Sequence, residues 1–150
     1  MSTSLDDIDK QILRQLQVDG RMPYSQLAPL VGLSEAATRQ RVNRLSERGV
    51  MSIVAVTDPI SLGYGYQAML GLTVESDVTK TAEKLSQLDE LEYVVIAAGR
   101  YDILAEVLCV DAEHLLEVVD TKVRNVAGVR NVETLTYLRL VKQTYNWGTM

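Results

Sequence analysis

The spacing of apolar residues changes near residue 50, and this change constrains the fold more than any other feature of the chain. Before it, apolar residues recur at intervals of three and four, as Leu5, Ile8, Ile12 and Leu16 do. That interval is the period of an amphipathic α-helix. After it, short β-branched and apolar runs alternate with helical segments. The sequence therefore predicts an all-helical unit followed by a unit of strands and helices.

Three helices are predicted in residues 1–50. The first carries acidic residues in its first turn, where the helix dipole favours anions, and stops at Gly20. Ser25 is the expected N-cap of a short second helix that ends at Gly32. Ser34 is the expected N-cap of a third helix that ends at Gly49. Two helices joined by such a tight turn have helix-turn-helix geometry, in which the second helix of the pair enters the major groove of DNA.

The third helix has an apolar and a polar face. Ala37 or Thr38, Val42 and Leu45 are expected to face inward. Arginine side chains pair with guanine, and glutamine or asparagine side chains with adenine. Serines at helix N-termini contact phosphates through hydroxyl and backbone N–H groups. The predicted DNA-binding residues are Ser25, Ser34, Arg39, Gln40, Arg41, Asn43 and Arg44, with Arg41 expected at a phosphate or as a brace between helices.

The charge distribution is uneven along the chain. The net charge of −5 argues at first against a nucleic-acid partner. Residues 1–50, however, carry seven Lys and Arg against six Asp and Glu, and residues 21–50 carry five Arg against two acids. A locally basic N-terminal third on an acidic body remains compatible with DNA. The pattern alone is equally compatible with a three-helix bundle that has a solvated arginine-rich face.

From residue 50 onward the predicted order is a linker strand over 50–56 and then βαββαβ. The strands are expected over 66–75, 92–99 (buried), 101–110 and 129–145, and the helices over 78–90 and 111–126. This order is the ferredoxin-like arrangement, which makes the fold class α+β. The predicted division is a helix-turn-helix domain (1–50), a linker strand and loop (51–65) and a ferredoxin-like domain (66–150).

The N-terminal motifs resemble those of the Lrp/AsnC (feast/famine) transcription regulators, which start with a winged-helix-like helix-turn-helix domain. The first helix matches L-D-x-x-D-x-x-I-L-x-x-L, the turn L-A-x-x-V-G-L-S, and the third helix R-V-x-x-L-x-x-x-G-V/I. The matching residues are Leu5, Asp6, Asp9, Ile12, Leu13, Leu16, Leu27, Ala28, Val31, Gly32, Leu33, Ser34, Arg41, Val42, Leu45, Gly49 and Val50. The chain departs from the family at Thr38, where an aliphatic residue is usual, and at Met51-Ser52.

The second domain fits the same family, whose effector domain is known as RAM. A turn between two strands in the segment AAGRYDILAEV is similar to the family's G-x-Y/x-D effector turn. The resemblance implies an amino acid bound in a cleft between dimers, a homo-oligomer that assembles toward octamers, and double-stranded DNA as partner. The implied effector-binding residues are Gly99, Arg100, Tyr101, Asp102 and Leu104, with Thr134 and Thr136 on the neighbouring wall. The alternative is a simple β-hairpin in which Asp102 caps a backbone N–H.

The sequence offers little for catalysis or for a metal. One cysteine and one histidine allow neither an internal disulfide nor a cysteine-based zinc site. We expect Cys109 to be a buried small hydrophobe and His114 to lie at the surface. No phosphate-binding loop or Ser-His-Asp set indicates an enzyme, and no cofactor is expected. No run approaches about 20 apolar residues and the acidic N-terminus is unlike a secretory signal, so we expect a cytoplasmic protein without membrane contact.

Two other functions remain open from the sequence alone. One is an architectural DNA-binding protein that responds to no effector. The other is an amino-acid-sensing module whose helical domain docks on a protein instead of on DNA. A DNA affinity that falls steeply with salt separates the second from a regulator, because the release of counterions from DNA sets that dependence.

Overall fold

The structure is a computed structural model that describes residues 5–144. The chain forms two compact units, the first of residues 5–55 together with 142–144 and the second of Val56–Val141. The two units have separate hydrophobic cores. Within the described residues, no helix is long and apolar enough to cross a bilayer.

The first unit contains three helices, α1 (Asp7–Val18), α2 (Tyr24–Leu30) and α3 (Glu35–Glu47). Asp6 caps α1 by accepting a hydrogen bond from the Asp9 backbone N–H at 2.7 Å. Ser34 caps α3, as predicted, by accepting from the Ala37 N–H at 3.3 Å. The apolar stripes of the three helices meet in one core, formed by Ile12, Leu16, Leu27, Val31, Val42 and Leu45.

Three details of the first unit differ from prediction or explain a departure. Ser25 is not an N-cap, because α2 already begins at Tyr24 after Pro23, whose carbonyl accepts from the Leu27 N–H at 3.0 Å. The first helix ends at Val18 with Asp19 as C-cap, before Gly20. Thr38 is fully buried, and its hydroxyl donates to the Ser34 carbonyl at 3.0 Å. A threonine is therefore accommodated where an aliphatic residue is usual, because its polar atom is satisfied locally.

The predicted linker strand is absent from the single chain. Residues 51–58 pair with no strand in the described part of the chain. Ile53, Val54 and Val56 are all exposed, Val54 to 71%. A β-branched segment forms a strand only where another strand offers backbone partners, and 5–144 supplies none for it.

The second unit is a four-stranded antiparallel sheet with helices on one face. Its elements are β1 (Tyr66–Val74), α4 (Val78–Leu85), β2 (Leu91–Ile96), β3 (Ile103–Cys109), α5 (Ala112–Glu117) and β4 (Val129–Thr136), with strand order β2-β3-β1-β4. This topology confirms the predicted βαββαβ arrangement. Residues Val118–Val123 continue α5 as a π-helical turn.

The strands alternate between two faces. The helix-facing core contains Leu70 and Leu72 of β1 and Ile103 and Val107 of β3. The residues between them, such as Met69 and Glu106, point to the opposite face, which we call the open face. Cys109 is buried on the helix side, as predicted. His114 was predicted at the surface and is half-buried, and its imidazole accepts a hydrogen bond from the Val110 N–H at 3.3 Å.

Several predicted bounds in the second unit were too long. The strand predicted over 129–145 ends at Thr136, with residue 145 outside the described residues, and the helix predicted over 78–90 ends at Leu85. The predicted buried strand ends at Ile96 and is half exposed, because β2 is an edge strand whose open face is left uncovered by the described residues. In each case the apolar pattern of the sequence continues past the last backbone hydrogen bond of the helix or strand. The pattern therefore overestimates the length of the element.

Candidate nucleic-acid interface and effector site

The second and third helices present a polar surface above the core of the first unit. Val42 and Leu45 anchor α3 from below, and its opposite side carries Arg39, Gln40 and Asn43, all exposed. These three residues and Glu35 line one shallow surface along the helix. The structure thus brings together most of the residues that were predicted to face DNA bases. Ser34 lies at the N-terminus of the same helix, whereas Ser25 lies exposed within α2.

Arg39 is held in place by two neighbours. Its guanidinium donates to the Glu35 carboxylate at 3.1 Å, one helical turn away. The same group lies over the Tyr24 ring, 5.5 Å from the centroid, in cation–π geometry. Tyr24 of α2 was not among the predicted residues, and it orders an arginine on the exposed face of α3.

Arg41 joins α3 to the start of α1. Its guanidinium donates to Asp6 at 2.7 Å and to Asp9 at 2.8 Å. These two hydrogen bonds raise the pKa of Arg41, and the Asp9 N–H and Arg41 together lower the pKa of Asp6. The structure places Arg41 as a brace between helices, one of the two roles predicted for it.

Arg44 shares the same buried carboxylate. One of its terminal nitrogens lies 3.3 Å and 3.4 Å from the two Asp9 oxygens. The side chain of Arg44 is nevertheless half exposed, whereas that of Asp9 is buried. Arg44 therefore contacts a buried carboxylate at one end of its guanidinium, while part of its side chain is exposed to solvent.

The turn between β2 and β3 (residues 97–102, here the β2–β3 turn) is tied to β1 by Asp102. The Asp102 carboxylate accepts from the Val74 N–H at 2.8 Å, next to the register shift between Thr73 and Val74. Its own N–H donates to the Leu72 carbonyl at 2.9 Å. Asp102 therefore has a structural contact of the kind that the hairpin alternative foresaw, although the N–H belongs to a neighbouring strand.

Tyr101 and Arg100 extend from the β2–β3 turn to β4. The Tyr101 hydroxyl donates to the Glu133 carboxylate at 2.5 Å, and Arg100 donates to the same oxygen at 2.9 Å. This contact raises the pKa of Tyr101. The Arg100 guanidinium also lies 5.3 Å from the centre of the Tyr101 ring. Gly99 adopts a left-handed φ of 140°, and among the described residues no atom lies within 4 Å of where a Cβ would be, so the backbone of the turn is exposed at this glycine.

The structure does not bring all predicted effector residues together within one chain. Thr134 pairs with buried Leu70, so it lies on the helix side of β4, beside α5. Thr136 pairs with Ala68 and lies on the same side. Leu104 lies on the open face, opposite them. Within one chain the two threonines therefore lie on the face opposite Leu104, because side chains alternate along a strand, and a neighbouring wall in a cleft between dimers stays a prediction.

Sequence reasoning missed the partners that hold the predicted residues. Asp9 was recognised only as part of a motif, and Glu133, Gly71 and Tyr24 were not singled out. An aspartate on the apolar stripe of an otherwise amphipathic helix is a signal that could have identified Asp9, because such a charge needs a partner. No local signal identifies Glu133, which lies 32 residues from Tyr101. Among residues 5–144, no cluster of His, Cys, Asp or Glu is arranged to hold a metal ion.

Comparison with known proteins agrees with both units. The AsnC-type helix-turn-helix domain matches residues 5–46, and a C-terminal dimeric alpha+beta barrel domain matches residues 66–150. An uncharacterised HTH-type transcriptional regulator of Pyrococcus furiosus is 35% identical over 146 residues, 96% of each chain. The structure of E. coli AsnC has a TM-score of 0.83 at 26% identity and covers 95% of this chain and 99% of its own.

A second solved structure extends the comparison to a ligand complex. The feast or famine regulatory protein of M. tuberculosis, complexed with L-methionine, has a TM-score of 0.85 at 29% identity. The match covers 93% of this chain and 96% of that one. The domain matches, the relatives and the two structures show that the chain belongs to the Lrp/AsnC family of helix-turn-helix transcriptional regulators.

Proposed function

We propose that α3 is the recognition helix of a sequence-specific DNA-binding regulator, and that an amino acid or a related metabolite modulates its DNA binding or its assembly. The observation that carries the DNA part is the exposed polar face of α3. Gln40 and Asn43 lie there with Arg44 at its side, while Val42 and Leu45 of the same helix are in the core. The major groove admits one α-helix, and these residue types read base edges there.

The proposal retains all of the predicted DNA-binding residues and gives them different roles. Arg39, Gln40, Asn43 and Arg44 are assigned to bases, and Ser34 to a phosphate at the helix N-terminus. Arg41 is assigned to bracing, because Asp6 and Asp9 engage it. Ser25 contributes a hydroxyl to a phosphate from the exposed side of α2. The acidic second unit repels DNA and thus confines contact to the first.

The effector part of the proposal rests on the β2–β3 turn. Gly99 and Arg100 are exposed, and Tyr101, Asp102 and Leu104 are half-buried behind them. The methionine complex of the M. tuberculosis relative supports an amino acid as the ligand class. Since Thr134 and Thr136 lie on the other side of the sheet, they would reach the ligand only from a different subunit. An effector of this kind acts by binding one assembly or orientation more tightly than another.

The proposed assembly is a two-fold symmetric dimer that associates further, toward an octamer. The exposed segment 50–56 and the open face of the sheet would form the dimer contact. The match to a dimeric domain over residues 66–150 supports this arrangement. A dimer would present two recognition helices to half-sites about one turn of DNA apart. We propose no catalytic activity and a cytoplasmic location, where chromosomal DNA is accessible.

The DNA proposal is tested by measuring binding to duplex DNA across a series of salt concentrations. We expect log affinity to fall linearly with log salt, with a slope of about −0.9 for each phosphate contact. Arg44→Ala should weaken binding to a duplex enriched from a random pool by the wild-type protein. No salt-dependent binding to any duplex would contradict the regulator and favour a sensing module that docks on protein.

The effector proposal is tested by a thermal-shift screen against all twenty amino acids. A ligand at 100 times its dissociation constant adds about 2.7 kcal/mol of stability, which gives a clear shift. One or a few responding amino acids would support the sensing regulator. Salt-dependent DNA binding with no response to any amino acid would contradict the amino-acid proposal and favour the architectural alternative.

A further inference from the structure

Asp9 lies beneath two arginines of the proposed recognition helix. Its side chain is only 3% exposed, and it belongs to α1, not to the DNA-facing surface. Its oxygens contact Arg41 at 2.8 Å and Arg44 at 3.3 Å. These two arginines are one helical turn apart on α3. A charge as deeply buried as this one is tolerated only when it is paired and hydrogen-bonded, so both arginines are drawn to it.

The two arginines are held unequally. Arg41 contacts a second carboxylate, Asp6, at 2.7 Å, and only 24% of its side chain is exposed. Arg44 contacts Asp9 through one terminal nitrogen, and half of its side chain is exposed. A guanidinium has five N–H donors in a rigid plane, so fixing one nitrogen orients the others.

We propose that Asp9 is a positioning residue for DNA recognition, which orients Arg44 toward a base edge and retains Arg41 in the protein. This inference rests on the proposed DNA binding by α3. An arginine that is already ordered loses less side-chain entropy when it binds a base edge. This gain applies only to the DNA sequence whose base edge fits the orientation of the arginine. The same carboxylate offsets positive charge beside the DNA, which weakens binding to every sequence alike. Asp9 thus raises the ratio of specific to non-specific affinity.

The test compares Asp9→Asn with Asp6→Asn. Both variants remove one negative charge and keep an amide oxygen as acceptor, and asparagine caps a helix as well as aspartate does. Asp6 contacts Arg41, and the ion pairs of Arg44 are with Asp9. Affinities are measured for the duplex enriched by the wild-type protein and for a scrambled duplex of the same length, each over a salt series.

Asp9→Asn should lower affinity for the enriched duplex about tenfold, the usual size of one lost base contact. Affinity for the scrambled duplex should stay equal or rise. The salt slope should stay equal or steepen by up to about one unit, because an arginine freed from the Asp9 carboxylate can contact one more phosphate. Asp6→Asn should leave the affinity ratio within about twofold, as expected when an exposed ion pair is lost. A purely structural role would lower both affinities together and could not steepen the salt slope.

Arg44→Lys is the second variant, and it decides the case where Asp9→Asn fails to fold. Lysine keeps the charge but loses the planar fork, so the affinity ratio should fall as in Asp9→Asn while the melting temperature stays near that of the wild type. An unchanged ratio in Arg44→Lys, or a parallel loss of both affinities in a folded Asp9→Asn, would overturn the inference. Failure of the wild-type protein to enrich any duplex would instead contradict the proposed DNA binding.

Discussion

The Tyr101 ring lies directly on Gly71. A Cβ atom at Gly71 would come within 2.7 Å of the ring, closer than van der Waals contact allows. Because β1 lies between β3 and β4 in the sheet, the bare backbone at Gly71 lets the ring cross β1 and bring its hydroxyl to Glu133. Gly71 thus permits the hydrogen bond by which the β2–β3 turn contacts β4, the edge strand on the other side of β1.

Gly71→Ala should therefore destabilise the second unit. The added methyl group would force the Tyr101 ring away from β1 and break its hydrogen bond to Glu133, at a cost of about 1–3 kcal/mol. The measurement is the free energy of unfolding by urea. In a Tyr101→Ala background the ring is absent, so the cost of Gly71→Ala should fall to less than half. Equal costs in the two backgrounds would show that the ring does not depend on Gly71.

Two substitutions at Asp102 separate its structural contact from ligand recognition. Asp102→Ala removes the acceptor of the Val74 N–H, which should cost about 1–3 kcal/mol and also abolish the response to the effector. Asp102→Asn retains an acceptor oxygen but loses the charge that would attract an ammonium group. It should therefore be nearly as stable as the wild type and still fail to respond. Thermal shifts with and without the amino acid identified in the screen measure both effects, and a full response in Asp102→Asn would contradict the role assigned to the charge.

Stability at high pH should depend on Tyr137. Burial, together with its hydrogen bond to Glu106 on the open face, raises the pKa of Tyr137 from 10.0 to about 12. The folded state therefore binds the phenolic proton more tightly than the unfolded state. The resulting stabilisation is complete below pH 10 and is lost as the pH rises toward 12. Tyr137→Phe cannot ionise, so its unfolding free energy should fall less steeply over this interval, and parallel curves for the two proteins would contradict the assignment.

The proposed dimer contact predicts a site-specific effect of charge on the exposed linker. Val54→Lys should weaken dimerisation about tenfold or more, because the segment would bury a charge at the interface. Val18→Lys is the matched control, since Val18 is also an exposed valine but lies at the end of α1. Sedimentation equilibrium gives the dissociation constants. Equal constants for Val54→Lys and the wild type would exclude this segment from the interface.

The helices and strands could be predicted well because each carries its own local signal. Ile12, Val42 and Leu45 follow the helical period, and Ser34 was correctly identified as a cap. The exposed face of α3 follows from the same periodicity. The order βαββαβ emerged from the alternation of apolar runs, although several runs continued past the ends of the elements.

The contacts that position the site residues were beyond prediction, because they join residues distant in sequence. Asp102 was predicted to bind a ligand or, in the alternative, to cap a backbone N–H, and its partner, the Val74 N–H, is 28 residues away on another strand. The linker segment 50–56 has the composition of a strand and no partner among residues 5–144, so local composition predicted an element that one chain does not form. Thr134 was predicted on a neighbouring wall of the effector cleft between dimers, and only the register of β4 against β1 shows that its side chain lies on the helix side of the sheet.

The claim that α3 reads DNA sequence is tested most directly by its two exposed amides. The variant Gln40→Ala/Asn43→Ala is compared with Gln87→Ala/Asn125→Ala, which removes the same side-chain types from the second unit. Affinities are measured for the duplex enriched by the wild-type protein and for a scrambled one. We predict that the first variant loses about 10- to 100-fold in affinity for the enriched duplex alone, while the second binds both duplexes like the wild type. Unchanged discrimination in the first variant would contradict the assignment of α3 as the recognition helix.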